Sequence, residues 1–214
     1  MKLYLIRHGQ SLANLGNWEV LEHIDTPLSD LGREQCEALR DWMRAEMLQA
    51  DALYTSTLVR TIETAGYVEA ALGMTAIRDD RIREIGHSFA DGSPMSAEEL
   101  PKSYISNHPG QDPYLPQTEG YERMETWMDA RGRLGRFMRH LIANHVGQTV
   151  YVVCHAGIMA MMVENVLNTP PVRHSVVHTD NTGISHFEWE MGVSEMHWVL
   201  RWHNRLPHLP EQYG

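Results

Sequence analysis

The 214-residue sequence has only two cysteines, Cys36 and Cys154, far apart and without the paired spacing of a zinc site. That argues against a disulfide or a structural metal and for two reduced thiols in a cytoplasmic protein. It also lacks any block of like charge. Its 18 Lys and Arg are scattered among 28 Asp and Glu, for a formal charge of -10. Neither a nucleic acid nor an anionic membrane is therefore an expected partner, and any anion site has to be local. No long apolar run is present. The stretch Met1 to Arg7 has one early positive charge and is broken by Arg7, too short for a signal peptide or a membrane span. No internal repeat, linker or low-complexity tract interrupts the chain. What remains is a composition of 43% hydrophobic and 21% charged residues, suited to burying a core, in a length that fits one domain over residues 1–214.

Lys2 to Ile6 is a short apolar run ending at a turn, the pattern of a buried strand with functional residues at its carboxyl edge. A helix is expected from Ser29, a fitting N-cap, to about Gln49, with Leu31, Ala38, Leu39, Trp42 and Met43 at helical spacing. A strand at Ala52 to Thr55, a helix from Leu58 to Leu72 closed by Gly73, and a short strand at Ala76 to Arg78 follow. From Gly86 to Gly120 repeated Gly and Pro predict an irregular cap with at most one helix, around Ala97 to Ser106. Glu122 to about His145 reads as a long helix, Thr149 to Cys154 as a buried strand and Gly157 to Leu167 as a helix with Met159, Met161, Met162 and Val163 in the core. Two β-rich runs, Gly183 to Glu190 and Met196 to His203, close the chain. In the second, alternation puts Trp198, Leu200 and Trp202 on one face. This order predicts a three-layer α/β/α sandwich with a mainly parallel sheet, one antiparallel strand and a small cap insertion around 86–120.

His8 and His155 each follow an apolar strand directly and are each followed by a small residue and a turn or helix start. Ligands of such sheets bind at the carboxyl ends of the strands, so the two should converge, with Arg7 beside the first and Arg60 in the first turn of the helix after the second strand. Four cationic or potentially cationic side chains at one place repel one another unless an anion joins them. Arg side chains make bidentate bonds to phosphate oxygens, and helix amides near Gly157 and Leu58 would add donors. The expected occupant is a phosphoryl group.

Taken in order, several segments resemble the histidine phosphatase superfamily, also called phosphoglycerate mutase-like. They are Leu5-Ile6-Arg7-His8-Gly9-Gln10-Ser11 with Asn14, Asp25-Thr26-Pro27-Leu28-Ser29-Asp30-Leu31-Gly32 with Gln35, and Thr55-Ser56-Thr57-Leu58-Val59-Arg60-Thr61 with Thr64-Ala65. Ile82-Arg83-Glu84-Ile85, Asp91-Gly92 and Val152-Val153-Cys154-His155-Ala156-Gly157 complete the set over nearly the whole chain. The resemblance implies that neutral His8 attacks phosphorus and becomes phosphorylated, without a metal or other cofactor, while Arg7, Arg60 and His155 hold the phosphoryl oxygens and Asn14 adds a neutral donor. The leaving alkoxide needs a proton, and a carboxyl group close to a phosphate retains one. Glu84 occupies the family's acid position and Asp91 is the second choice. Where one branch has an acidic residue directly after the second histidine this chain has Ala156, which favours Glu84 and leaves Ala156 as a neutral lining of the site.

Cys154, next to His155, could be a thiol nucleophile, but its apolar run favours a buried structural role. His174, His178 and His186 invite a metal, but no accompanying acidic or cysteine pattern supports one. Mutases of the family carry an Arg pair in the insertion. Here none lies between Pro94 and Gly120, and Glu84 is followed by Ile85-Gly86-His87. Leu21-Glu22-His23 departs from the family's usual pair before the Asp25 motif, and Thr118-Glu119-Gly120 stands where Gly-Glu-Ser is common. Glu22, His87 and the 94–118 cap are thus the expected substrate-selecting parts. The function expected is a phosphomonoesterase acting on a small phosphorylated metabolite, with a mutase-type isomerase and a non-catalytic phospholigand-binding module as alternatives. A homodimer is compatible with the sequence.

Overall fold

The computed structural model describes residues 1–16, 22–102, 112–116, 118, 120–171 and 177–210. Among these residues six strands make one sheet in the order β3-β2-β4-β1-β5-β6: β1 Lys2–Arg7, β2 Ala52–Thr55, β3 Ile77–Arg78, β4 Thr149–Cys154, β5 Ile184–Met191 and β6 Met196–Arg205. β1 to β4 pair in parallel, and β5 alone runs against its neighbours. Helices α1 (Asp30–Ala45) and α2 (Val59–Leu72) cover one face, and α3 (Trp127–Asn144) and α4 (Ala156–Leu167) the other. The chain adopts the expected three-layer α/β/α sandwich.

Strand alternation feeds both layers. Leu3 and Leu5 of β1 pack with Phe137, Ile158 and Met161, whereas Ile6 packs with Leu39, Met43, Ala65 and Val68. Met159, Met161, Met162 and Val163 of α4 are all buried. Both cysteines are free and buried. α1 begins where Ser29 Oγ accepts from the Gly32 amide at 3.1 Å, a cap of a kind that contributes about 1 kcal/mol. Its buried stripe is Gly32, Gln35, Cys36, Leu39 and Met43, so Leu31, expected in that stripe, is exposed. The helix stops at Ala45 rather than near Gln49 because the chain turns left-handed at Met47, with φ 50°.

Three other expectations are corrected. α3 starts at Trp127, not Glu122, because Thr126 and Asp129 form a capping box: the Asp129 amide donates to Thr126 Oγ1 at 3.1 Å, and the Thr126 amide to Asp129 Oδ2 at 2.9 Å. In the cap, the helix expected at Ala97 to Ser106 is a single 3-10 turn at Ala97–Glu99, residues 103–106 lying outside the described part. Short bridges, Ser88 with Pro94 and Phe89 with Met124, stitch this region over a small core of Ile24, Met95, Leu100 and Met124. In β6 the register slips between the pairs Phe187–Leu200 and His186–Trp202. The extra residue turns Trp202 to the α1/α2 face, away from Trp198 and Leu200.

Candidate active site

β4 lies between β1 and β2, so the carboxyl ends of strands distant in sequence become neighbours. Arg7 is in register with Cys154, and the His8 amide donates to the Cys154 carbonyl at 3.0 Å. The next residues, His8 and His155, are both buried, with ring centroids 5.2 Å apart in an edge-on arrangement. α2 brings Arg60, only 2% exposed, so that its Nε–H donates to His8 Nε2 at 3.2 Å. Arg7, His8, Ser11, Ala13, Asn14, Arg60 and Glu84 line a cavity of about 170 Å³.

The partners of His8 fix its tautomer. Nδ1 lies 2.7 Å from the Gly9 carbonyl, which can only accept, so Nδ1 carries the proton and Nε2 keeps the lone pair that meets Arg60. Burial, then the charges of Arg60 and Arg7, hold the imidazole pKa well below its usual range. The ring is placed by a tight loop. A Cβ on Gly9 would lie 2.6 Å from the Gly32 carbonyl oxygen and 2.8 Å from Cys36 Sγ, so only glycine lets the loop seat against α1. Asn181 Nδ2 donates to the His8 carbonyl at 3.0 Å.

His155 is the N-cap of α4, and its Nε2 lies 2.9 Å from Ser56 Oγ at the end of β2. Its buried Nδ1 has no hydrogen-bond partner among the described residues. Arg7 is steadied by the Thr179 carbonyl. Asn14 commits Oδ1 to the Ser11 amide at 3.0 Å, which leaves its NH2 group as the donating end.

The two helix amide ends expected to meet an anion hold carboxylates of the chain instead. The Val59 amide at the start of α2 donates to Asp25 Oδ1 at 2.9 Å, and Asp25 also pairs with Arg60 at 3.5 Å. At α4 the Gly157 amide donates to Glu84 Oε2 at 3.1 Å, while Glu84 Oε1 accepts from the Ile85 amide at 3.0 Å. A Cβ on Gly157 would sit 2.4 Å from Glu84 Oε1, so this glycine is what admits the carboxyl group to the cavity.

Ala156 opens α4 next to His155. His87 is fully buried behind the cavity rather than on its wall, with Nδ1 3.2 Å from the Ile85 carbonyl, and burial followed by Arg60 and Arg83 lowers its pKa. Glu22 is exposed and lines a different cavity, with His23, Glu98 and Lys102. Asp91 is exposed in a turn, accepting from the Ser93 amide at 2.9 Å, away from the residues that line the site. Cys154 packs in the α3/α4 core, its thiol pKa pushed up by burial. His178 pairs with Asp180, and His186 stacks on Tyr4 beside Glu188, so they serve separate local contacts. Leu21, Glu119 and His174 lie outside the described residues. Sequence reasoning did not single out Ser56, Asp25, Thr179 and Asn181 as supports of the site. For the first two the signal was present, as polar residues inside the recognised segments.

A model of the histidine phosphatase superfamily (branch 1) matches residues 3–204. The chain belongs to this superfamily. Phosphoserine phosphatase 1 of Hydrogenobacter thermophilus is 32% identical to this histidine phosphatase over 165 residues, 76% of this chain and 74% of the relative. A probable phosphoglycerate mutase GpmB of Yersinia enterocolitica is 23% identical, over 89% of this chain and 86% of the relative. Among solved structures, a mycobacterial glucosyl-3-phosphoglycerate phosphatase with VO3 superposes with a TM-score of 0.71 at 21% identity, over 95% of this chain and 98% of that one. The histidine phosphatase is thus an enzyme of the phosphatase and phosphoglycerate mutase-like kind. Among the described residues no helix is long and apolar enough to cross a membrane.

The buried histidines set a pH response of folding. His8, His87 and His155 all have pKa values lowered well below the usual 6.5. Between that value and the folded values only the unfolded chain takes up the protons. Stability is therefore full above about pH 6.5 and is lost as pH falls. The unfolding free energy in urea, measured from about pH 7 to 5, is expected to drop more steeply than the about 1.4 kcal/mol per pH unit that one site allows. A flat profile would contradict the neutral burial of these rings.

Proposed function

We propose that this protein is a phosphomonoesterase working through a phosphohistidine on His8, with no metal required. The observation that carries the reading is the lone pair of buried, neutral His8 Nε2 at a cavity shared with Arg7, Arg60 and Glu84. In the first half-reaction Nε2 bonds to phosphorus as the bond to the leaving oxygen breaks, and the Glu84 carboxyl gives its proton to that oxygen. In the second, water attacks phosphorus, Glu84 takes the proton, and the N–P bond breaks to release phosphate and neutral His8. Arg7, Arg60 and His155 Nδ1 offer donors to the three non-bridging oxygens, where charge spreads in the transition state. Two fixed guanidinium cations supply the neutralisation that a divalent ion provides elsewhere.

Hydrolysis rather than phosphoryl return is supported by the lack of an Arg pair between Pro94 and Gly120, and a small alkyl phosphate as substrate by the similarity to phosphoserine phosphatase 1. The test is chelator-resistant hydrolysis of p-nitrophenyl phosphate and of alkyl phosphates. Glu84→Gln should cost about 10²- to 10⁴-fold on alkyl phosphates, whose leaving group needs the proton, and far less on p-nitrophenyl phosphate. No turnover by the wild type across a broad phosphometabolite panel would remove the proposal. Interconversion of phosphoglycerates stimulated by a bisphosphate would replace it with a mutase.

A further inference from the structure

Behind the cavity, on the side of α3, Arg133 and Glu125 form an ion pair in which both residues are fully buried. The contact is a fork: Arg133 Nε lies 3.0 Å from Glu125 Oε2, and Nη2 lies 2.8 Å from Oε1. Desolvation raises the Glu125 pKa to about 7 in spite of that partner. Burying two charges is a poor way to gain stability, because the desolvation penalty offsets most of the attraction. The other contacts of the two residues suggest another use. Arg133 Nη1 donates to the carbonyls of Asp80, Arg81 and Arg83, at 3.3, 2.9 and 3.0 Å. Glu125 is itself tied to the chain beyond Glu84, its amide donating to the Ser88 carbonyl at 3.0 Å, and Gly86 between them sits at φ 81°, a conformation glycine supplies at little cost.

The pair therefore ties the chain on both sides of Glu84: the Arg83 carbonyl just before it, through the Arg133 guanidinium, and the Ser88 carbonyl four residues after, through the Glu125 amide. Within that bracket the Glu84 carboxyl is wedged against the α4 terminus, 3.1 Å from the Gly157 amide, where even one added methyl group would clash. A small displacement of residues 83–86 moves the carboxyl group directly, and general acid catalysis depends on hydrogen-bond reach. Neither Arg133 nor Glu125 is among the residues lining the cavity.

We infer that Arg133 and Glu125 are positioning residues for proton delivery, holding the backbone on either side of Glu84 so that its carboxyl group reaches the leaving oxygen. This rests on the acid role proposed for Glu84.

The experiment compares kcat/KM for p-nitrophenyl phosphate and β-glycerophosphate in wild type, Glu84→Gln, Glu125→Gln and the double variant Glu125→Leu with Arg133→Met. The double variant removes both charges at similar volume, a change that buried pairs often tolerate. Glu125→Gln keeps the shape, so the ratio can be read from whichever of the two folds. Glu125→Gln and the double variant are expected to follow Glu84→Gln, losing at least about tenfold more on β-glycerophosphate than on p-nitrophenyl phosphate. Inhibition by inorganic phosphate should stay at the wild-type level. Equal losses on both substrates would mean a merely structural pair, and a wild-type ratio in a folded variant would also overturn the inference. If Glu84→Gln itself shows no leaving-group dependence, the acid assignment fails and this inference falls with it. Dependence in Glu84→Gln alone sinks only the positioning role.

Discussion

His8→Ala is expected to reduce hydrolysis by about 10⁴-fold or more while leaving phosphate binding largely intact. The size follows from the lack, among the described residues, of a substitute nucleophile within reach. Ser11 lines the cavity, but its hydroxyl is bonded to Asn14 Oδ1 at 3.1 Å and no base adjoins it. Cys154 is packed into the apolar core, where burial raises its thiol pKa and keeps the unreactive protonated form. His155 has Nε2 tied to Ser56. Binding should persist because Arg7 and Arg60 remain, and Arg60 Nε–H, no longer held by an imidazole, becomes available to a phosphoryl oxygen. Inorganic phosphate titrated calorimetrically should bind within about tenfold of the wild type, a change of no more than about 1.4 kcal/mol. Residual hydrolysis above about 1%, far more than a missing nucleophile allows, would place the nucleophile elsewhere. The phosphoenzyme supplies an independent check. Acid-labile label from a phosphorylated substrate should appear in the wild type and be absent from His8→Ala.

The paired histidines were legible in the sequence because two apolar strands each stop at one, and apolar strands in such sheets end where ligands bind. That the two strands are neighbours was not, because β4 is inserted between β1 and β2 by chain topology rather than by any local pattern. Arg60 was recognisable from its place after β2, but Asp25, which ties it to the start of α2, works through a contact across loops. The start of α3 was misplaced because Glu122 to Glu125 resemble a first helical turn in composition, and only the Thr126–Asp129 capping box shows where helical backbone begins. Arg133 left a trace that could have been read: it falls on the buried stripe of α3 beside Ala130, Leu134 and Phe137, where an unpaired charge could not remain. Helix periodicity revealed the stripe, but the identity of the partner needed the fold. His87 shows the opposite limit. Its position in the chain suggested the substrate end of the site, yet the turn after Glu84 sends it fully inside. Glu22, expected among the substrate-selecting parts, lines a different cavity in the cap.

Arg60→Gln and Arg60→Lys should separate what charge does at this site from what shape does. Arg60 touches the proposed nucleophile, its Nε–H meeting His8 Nε2, and after burial its charge does most to lower the His8 pKa. On the proposed mechanism the same guanidinium takes phosphoryl oxygens of the bound substrate in the fork geometry that Arg alone provides. Arg60→Gln removes both functions, and kcat/KM should fall by about 10³-fold, the scale set by losing a preorganised charged donor in a desolvated site. Its pH profile should change as well. Neutral His8 is the reacting form of the proposed mechanism, and in the wild type it stays neutral well below the usual histidine range. Without the nearby cation the folded pKa moves back upward, so His8 protonates sooner as pH falls and the acid limb of kcat/KM shifts to higher pH. Arg60→Lys keeps the charge but not the fork. It should retain most of the wild-type acid limb while still losing about 10²-fold in kcat/KM. Steady-state rates on p-nitrophenyl phosphate from about pH 4 to 8, spanning the usual histidine range, test both. An acid limb unmoved in Arg60→Gln would mean that burial, rather than the neighbouring guanidinium, keeps the nucleophile neutral, since desolvation is the one larger force acting on the same ring.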